Sequence, residues 1–269
     1  MKKILITGGN GYIAKSLLGL ASYEPCEINY ATRNDFDITN SRQTSKWFED
    51  KNFDAVIHTA VVGGSRLQAD DRGVLEMNLR MHYNLLANRD KFNRLISFGS
   101  GAEMFAPDTP YGLSKRVIAN SITQTDNWYN IRIFGVFDEN ELPTRFIKSS
   151  IDRYLRREPI KIHKDRVMDF FYMQDLISLV KYYLEEDNPP KEVDCSYTKK
   201  HTLSDIAQMI NKLGDHEVPI EIENSGMTLY HGDPSILSTQ KNFSVRGFSY
   251  GLLSTFNTLK ERFHNAAHL

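Results

Sequence analysis

The chain has 269 residues, with 33 Lys and Arg against 34 Asp and Glu and a formal net charge of −1. Near-neutrality excludes a global field that would draw it to nucleic acid or to an anionic membrane surface. Two cysteines, Cys26 and Cys195, lack Cys-x-x-Cys spacing, and there is neither an apolar run of ~18 residues nor a signal-peptide pattern, so a reducing, cytoplasmic setting without membrane contact is expected.

Residues 4–7 are a continuous apolar run bounded by turn residues, the pattern of a strand buried on both faces. Residues 12–22 read as a helix with Leu17, Leu18 and Ala21 on one side. "EINYAT" (27–32) is a second strand, followed by a helix over 41–50 and a third strand, "DAVIHTA" (54–60). A long helix over 73–89 leads to "RLISFGS" (94–100), a helix over 111–123 and a fifth strand, "YNIRIFGV" (129–136). Strands alternating with helices predict an α/β fold, a Rossmann-like doubly wound parallel sheet.

After about residue 136 the rhythm loosens. A helix over 145–157, whose basic run "RYLRR" reads as a solvated face, precedes "IKIH", "MDFFYM" and a helix from Asp175. "VDCSY", a helix over 203–213, "IEIE" and a helix near 250–264 follow, punctuated by Pro143, Pro159, Pro189, Pro190 and Pro219. The expected organisation is a first, sheet-forming domain over 1–135, its sheet completed by 168–185. A smaller C-terminal substrate-binding lobe over 136–269 is expected to close over the sheet's C-terminal edge, where open α/β sheets bind ligands. His264 and His268 lie four apart next to the C-terminus, and no metal site is expected there or elsewhere.

The first strand runs directly into "TGGNGYIA" and a helix, the context that makes Gly8-x-x-Gly11 a dinucleotide turn. Gly8 permits the tight turn, Gly11 lets backbone approach a pyrophosphate, and the helix start offers free N–H groups. Ala14 stands where a third glycine could be. At the end of the second strand, "YATRND" puts Arg33 where an acid would bond the ribose of NAD. A guanidinium suits the 2′-phosphate, so NADP is expected ahead of NAD. Asp37 and Ile38 stand where they would flank the adenine.

"PYGLSK" (110–115) carries Tyr111 and Lys115 four apart, on one side of a helix, after a strand ending in Ser100. A phenol titrating near 10 is a poor catalyst at neutral pH, and a neighbouring ammonium favours its phenolate. Ser100 would then hold a substrate carbonyl oxygen and Tyr111 would move the proton.

The segments "TGGNGYIA", "DITN", "HTAVVGGS", "SFGS" and "YGLSK" stand in the order found in the extended short-chain dehydrogenases/reductases of nucleotide sugars, and the chain resembles that family. Within it, residues 30–65 look most like the GDP-L-fucose synthase branch, NADPH-dependent reductase-epimerases of a 4-keto-6-deoxy sugar nucleotide. The resemblance implies a catalytic set of Ser100, Tyr111 and Lys115. It implies cofactor contacts from Gly8, Asn10, Gly11, Tyr12, Ile13 and Arg33, and from Ala60, Val61 and Val62 along the nicotinamide ribose. His58 is expected to be structural, and Asn78 matches a family asparagine on the long helix. Relatives in this family also use the helices over 73–89 and 111–123 for a two-fold dimer.

The departures are as informative. The loop from Ser100 to Tyr111 is shorter than in the fucose synthases, and Met168 stands where the family often has an arginine for the diphosphate. Arg166, Arg145 and Lys148 are the candidate replacements, with Ala102 beside the substrate. The dehydratases' Asp-Glu pair is absent after Ser100, where Gly101 and Ala102 follow, and Glu103 would point away in an extended segment. The fucose synthases' proton-exchanging cysteine is Ala102 here, and their histidine falls at or near Ser150, with His163 the one later histidine that could reach in. These features favour a 4-keto sugar nucleotide reductase without epimerase activity. A nucleotide-sugar epimerase and a non-catalytic NADP-binding sensor are the alternatives.

Overall fold

The computed structural model describes residues 1–22, 26–65 and 68–267. Two compact units divide the chain: 1–133 with 179–194, and 134–178 with 195–269.

In the first unit, β1 (Lys2–Thr7), β2 (Cys26–Ala31), β3 (Phe53–His58), β4 (Phe92–Ser100), β5 (Trp128–Ile133) and β9 (Glu192–Asp194) form one parallel sheet, in the order β2-β1-β3-β4-β5-β9. The order reverses between β1 and β3, the switch point at which such sheets open a crevice. Helices α1 (Tyr12–Ser16), α2 (Ser41–Phe48), α3 (Gly73–Ala87) and α5 (Pro110–Thr123) connect the first five strands, and a single turn, α4 (Ala102–Phe105), precedes α5. Capping sets their starts: the Asn40 side chain accepts from Gln43 N–H, and Thr109 accepts from Gly112 N–H with Pro110 at the first helical position. Leu5, Val56 and Leu95 from the strands meet Phe48, Leu85, Ile122 and Trp128 in one buried cluster, each worth roughly 1.5–3 kcal/mol on burial.

Two expectations need correction. The helix expected over 12–22 is α1 followed by a 3-10 segment over Leu17–Ser22; Leu17 is buried while Leu18 faces out, and the Ala21 side chain lies outside the described set. Gly19 inside the run weakens a regular helix. The sheet is completed by β9 and not by 168–185, because Met173, Leu176, Val180 and Tyr183 recur at helical spacing and form one buried stripe of α7 (Met173–Glu185).

In the second unit, β6 (Val136–Phe137) pairs with β8 (Phe171–Tyr172), and β7 (Ile160–Met168) pairs in parallel with β10 (Ile220–Tyr230). Residues of α6 (Phe146–Leu155), α8 (Leu203–Leu213) and α10 (Phe248–Ala267) bury Ile151, Tyr154, Ile206, Ile210, Leu252 and Phe256 in a second core; α9 (Ser235–Ser238) is one turn. A capping box between Thr202 and Asp205 starts α8. Single buried acids pin the loops. Asp175 accepts from Tyr197 Oη and from the N–H groups of Arg246 and Gly247 (2.7 and 3.0 Å). Asp169 holds Lys200 at 2.7 Å and the Gly232 N–H at 2.9 Å.

Candidate active site

At the carboxyl ends of β1, β2 and β3 lies a cavity of about 310 Å³. Gly8, Asn10 and Gly11 line it from the first turn, Arg33, Asp37 and Ile38 from the end of β2, and Ala60, Val61 and Val62 from the segment after β3. Tyr12 and Ile13, in the first turn of α1, are not among its walls. Gly8 has φ +70°, and a Cβ there would stand 2.7 Å from the Ala60 backbone nitrogen, so only glycine lets β1 turn under the β3 segment. Gly11 N–H closes the turn on the Gly8 carbonyl at 2.8 Å, and no side chain caps the start of α1. A backbone-lined cradle at an uncapped helix start fits the diphosphate of a dinucleotide.

The rim after β2 is tied by its own acids. Asp35 accepts from both Thr32 N–H and Thr32 Oγ1–H at 2.8 Å, and Asp37 accepts from Thr39 N–H (3.0 Å) and Thr39 Oγ1–H (2.8 Å). The Thr39 backbone bond, joined by its hydroxyl and the charge of Arg33, holds the Asp37 carboxyl below the usual carboxylate range against partial burial. Arg33 stands exposed on this rim, a guanidinium open to an anion.

Asn78 fastens the opposite wall. Its amide oxygen accepts from Val62 N–H at 3.0 Å, and its nitrogen donates to the Val62 carbonyl at 2.9 Å and to Ser114 Oγ at 3.0 Å. One buried side chain thereby locks the segment after β3 to α5, next to Lys115. His58 is held at 2.8 Å by Thr7 Oγ1, and burial pulls its pKa down to about 3, so it stays neutral as a structural group.

Ser100 ends β4, and its Oγ accepts from Ala102 N–H at 3.2 Å. Tyr111 lies in the first turn of α5, with Gly64 (φ +71°) pressed against its ring: a Cβ at Gly64 would come within 2.7 Å of Tyr111 Cζ. One turn on, the Lys115 ammonium stands 5.8 Å from the Tyr111 ring centroid and donates to the Phe98 carbonyl at 2.6 Å. Burial brings the Lys115 pKa down to about 8, with the Glu103 carboxylate working the other way. The three residues read as a catalytic set thus converge at the end of β4 and the start of α5.

Glu103 does not point away. The segment after Ser100 is a helical turn and not an extended strand, and the side chain folds back: Oε1 accepts from Ser100 N–H at 2.8 Å and Oε2 from Arg132 Nε at 2.7 Å. Arg132 also donates to Asp194 (2.6 Å) and Glu192 (3.0 Å). Burial opposes the guanidinium's charge, but Glu103 and Asp194 hold its pKa above the ordinary value. Sequence reading missed this group, although Ser100-x-x-Glu103 has the spacing of a capping box.

The candidates in the second unit are arranged otherwise. The Lys148 ammonium donates to the carbonyls of Glu139 (2.8 Å) and Glu141 (3.1 Å), so it closes that loop and is not a free cation. Arg145 stands at the start of α6, where its charge opposes the effect of burial on Glu141, a carboxyl pushed up to about 8. Ser150 and Met168 are buried. His163 is on strand β7 and not in a loop, exposed and paired with Glu223 at 2.8 Å; Arg166 Nε donates to Thr228 Oγ1 at 2.9 Å. Among the described residues no three His, Cys, Asp or Glu side chains gather as a metal would need, and no helix is long and apolar enough to cross a membrane. His268 lies outside the described residues.

Comparison with known proteins identifies the family. The family model described as the NAD dependent epimerase/dehydratase family matches residues 4–195. A CDP-abequose synthase of Yersinia pseudotuberculosis is 22% identical over 245 residues, 81% of this chain and 87% of that protein. A GDP-L-fucose synthase of Azorhizobium caulinodans is 33% identical over 103 residues only, 37% of this chain and 33% of its own length. The resemblance to fucose synthases is therefore partial, and the abequose synthase aligns over far more of the chain. Among solved structures, the Bordetella bronchiseptica enzyme WbmG in complex with NAD superposes with a TM-score of 0.81 at 18% identity, covering 97% of this chain and 94% of that one. MlghC, a GDP-mannoheptose C4 reductase from Campylobacter jejuni with NADP bound, gives 0.79 at 16% identity over 96% and 98%. The chain belongs to the NAD-dependent epimerase/dehydratase family, an α/β, Rossmann-like group of NAD(P)-dependent enzymes of the short-chain dehydrogenase/reductase type.

Proposed function

We propose that the protein is an NADPH-dependent reductase of a 4-keto sugar nucleotide that leaves the carbons next to the keto group unchanged. The observation that carries this reading is the Ser100, Tyr111 and Lys115 set with Ala102 directly beside it. A methyl group exchanges no proton, and the nearest acid, Glu103, is engaged by Ser100 N–H and Arg132. Bound NADPH supplies a hydride from its nicotinamide C4 to the keto carbon. Ser100 Oγ–H holds the carbonyl oxygen, Tyr111 gives the forming alkoxide its proton, and the Lys115 ammonium favours the phenolate left behind. Gly8 and Gly11 would hold the diphosphate end, Ala60, Val61 and Val62 the nicotinamide ribose, and Arg33 with Asn10 the 2′-phosphate.

One fold relative, a C4 reductase with NADP bound, supports the reading, whereas another is in complex with NAD. Exposed Tyr83 on α3 and Val117 on α5 support a dimer through those helices, which a monomer mass in light scattering would refute. The test of the activity is NADPH oxidation with a panel of 4-keto sugar nucleotides, run in D2O with the product read by NMR. Turnover without deuterium at C3 or C5 is expected. No turnover with any member, or deuterium there above the non-enzymatic background, overturns the reading.

A further inference from the structure

We infer that Glu103 is a positioning residue of the reduction centre: its carboxylate, anchored by Arg132, fixes the backbone under Ser100 and is the charge partner of the buried Lys115 across the Phe98–Ser100 segment. The inference rests on the reading of Ser100, Tyr111 and Lys115 as the reacting set.

The geometry brackets one peptide. Lys115 Nζ binds the carbonyl of Phe98, Glu103 Oε1 binds the N–H of Ser100, and Gly99 lies between them. A Cβ on Gly99 would stand 2.4 Å from Glu103 Oε1 and 2.6 Å from Asn130 Oδ1, so the carboxylate fills the space that a side chain at 99 would take. Glu103 is 5% exposed and Lys115 9% exposed, and charges this deep act strongly on each other. Other groups around the ammonium bring no negative charge at neutral pH. His58 of β3 and His82 of α3 are kept neutral by burial, with pKa values of about 3 and about 4. Tyr111 shares helix α5, and from β4 the Phe98 carbonyl accepts from the ammonium. Burial alone penalises the ammonium, and Glu103 is the group that offsets it. Burial also pushes the Glu103 carboxyl up, opposed by Arg132, the Ser100 N–H and Lys115 itself. Arg132 thus favours the Glu103 carboxylate, and Glu103 in turn favours the Lys115 ammonium. Glu192 and Asp194 are the guanidinium's other carboxylate partners.

The test follows the lysine directly. Protein made with 13C-labelled lysine is titrated by NMR from neutral to alkaline pH, the Lys115 signal being the one absent in Lys115→Arg. Glu103→Gln should lower its midpoint by about one pH unit, the size of a close opposite charge, and move the alkaline limb of kcat/KM by the same amount. Glu192→Gln, which also takes a partner from Arg132, should leave the midpoint where it was. A Glu103→Gln protein that folds but titrates Lys115 as the unmodified protein does overturns the inference. If that variant does not fold, the unmodified protein decides: the Glu103 carboxyl 13C signal should inflect at the Lys115 midpoint, and a flat signal there overturns it. Because neither titration needs substrate, absence of turnover would sink the reductase reading without touching this coupling.

Discussion

In the first unit, the buried ionisable groups gather at one end of the sheet: Lys115, Glu103, Arg132 and Asp194 form a continuous set from α5 to β9. In the second, Asp165, Asp169 and Asp175 are separate, each binding backbone N–H groups that no helix or strand satisfies. The first pattern couples charges to one another. The second uses carboxylates as loop fasteners, where orphaned amides would otherwise cost about 1–3 kcal/mol apiece. The same side-chain chemistry therefore serves charge coupling in one unit and loop order in the other, and substitutions can separate the two.

The sharpest separation comes from Tyr111→Phe. It keeps the ring against Gly64 but removes the hydroxyl, so kcat should fall about a thousandfold while NADPH affinity and the denaturation midpoint stay put. Retained turnover would dissolve the contrast. Acid should next expose burial without a charge partner. His58 and His82 have folded pKa values of about 3 and about 4 against 6.5 unfolded, so the unfolded chain binds more protons between those values. Stability therefore falls as pH drops through 6.5, by roughly 2 kcal/mol per histidine at pH 5. Urea unfolding at pH 7 and pH 5 measures this, and His82→Asn should remove about half of the difference.

Asp175→Ala tests the fasteners. It leaves Tyr197 Oη and two backbone amides without their acceptor and should cost about 3 kcal/mol in urea unfolding, with NADPH affinity of the folded protein unchanged. A loss below measurement error would show that water replaces the carboxylate without penalty. The smallest effect belongs to the exposed rim. Arg33→Ala should weaken NADPH about tenfold, the worth of a charge-assisted contact at an exposed site, and leave NADH binding alone; equal losses for both would remove Arg33 from the 2′-phosphate.

The parallel strands of the first unit were readable because each is a short apolar run bounded by turn residues, and the glycine turn because a strand precedes it and a helix follows. Nine of the expected cofactor residues line one cavity for that reason. The place of β9 was not readable: "VDCSY" marks an element overlapping Glu192–Asp194, but so short a strand does not say which sheet it joins, and the apolar "MDFFYM" ahead of it points to 168–185 instead. Glu103 was misread because its direction depends on whether the chain after Ser100 turns or extends, a choice settled by the fold-back onto Arg132, 29 residues away. Lys148 looks like any surface cation in sequence, and only the loop carbonyls around it assign its protons.

β5 and β9 are neighbours in the sheet but distant in the order of synthesis, since Arg132 and Asp194 lie 62 positions apart. While the chain emerges from a ribosome, β5 has an open edge until β9 arrives, and at about 5–20 residues per second that delay is roughly 3–12 s. Exposed strand edges invite pairing with other chains. Arg94, whose guanidinium later binds the carbonyls of Tyr183 and Glu186, and Arg132 wait through the same interval without those partners. Of the contacts of Arg132, those to Glu192 and Asp194 thus form after the one to Glu103, so the nascent chain passes through a period with its glycine turn made and its outer edge bare.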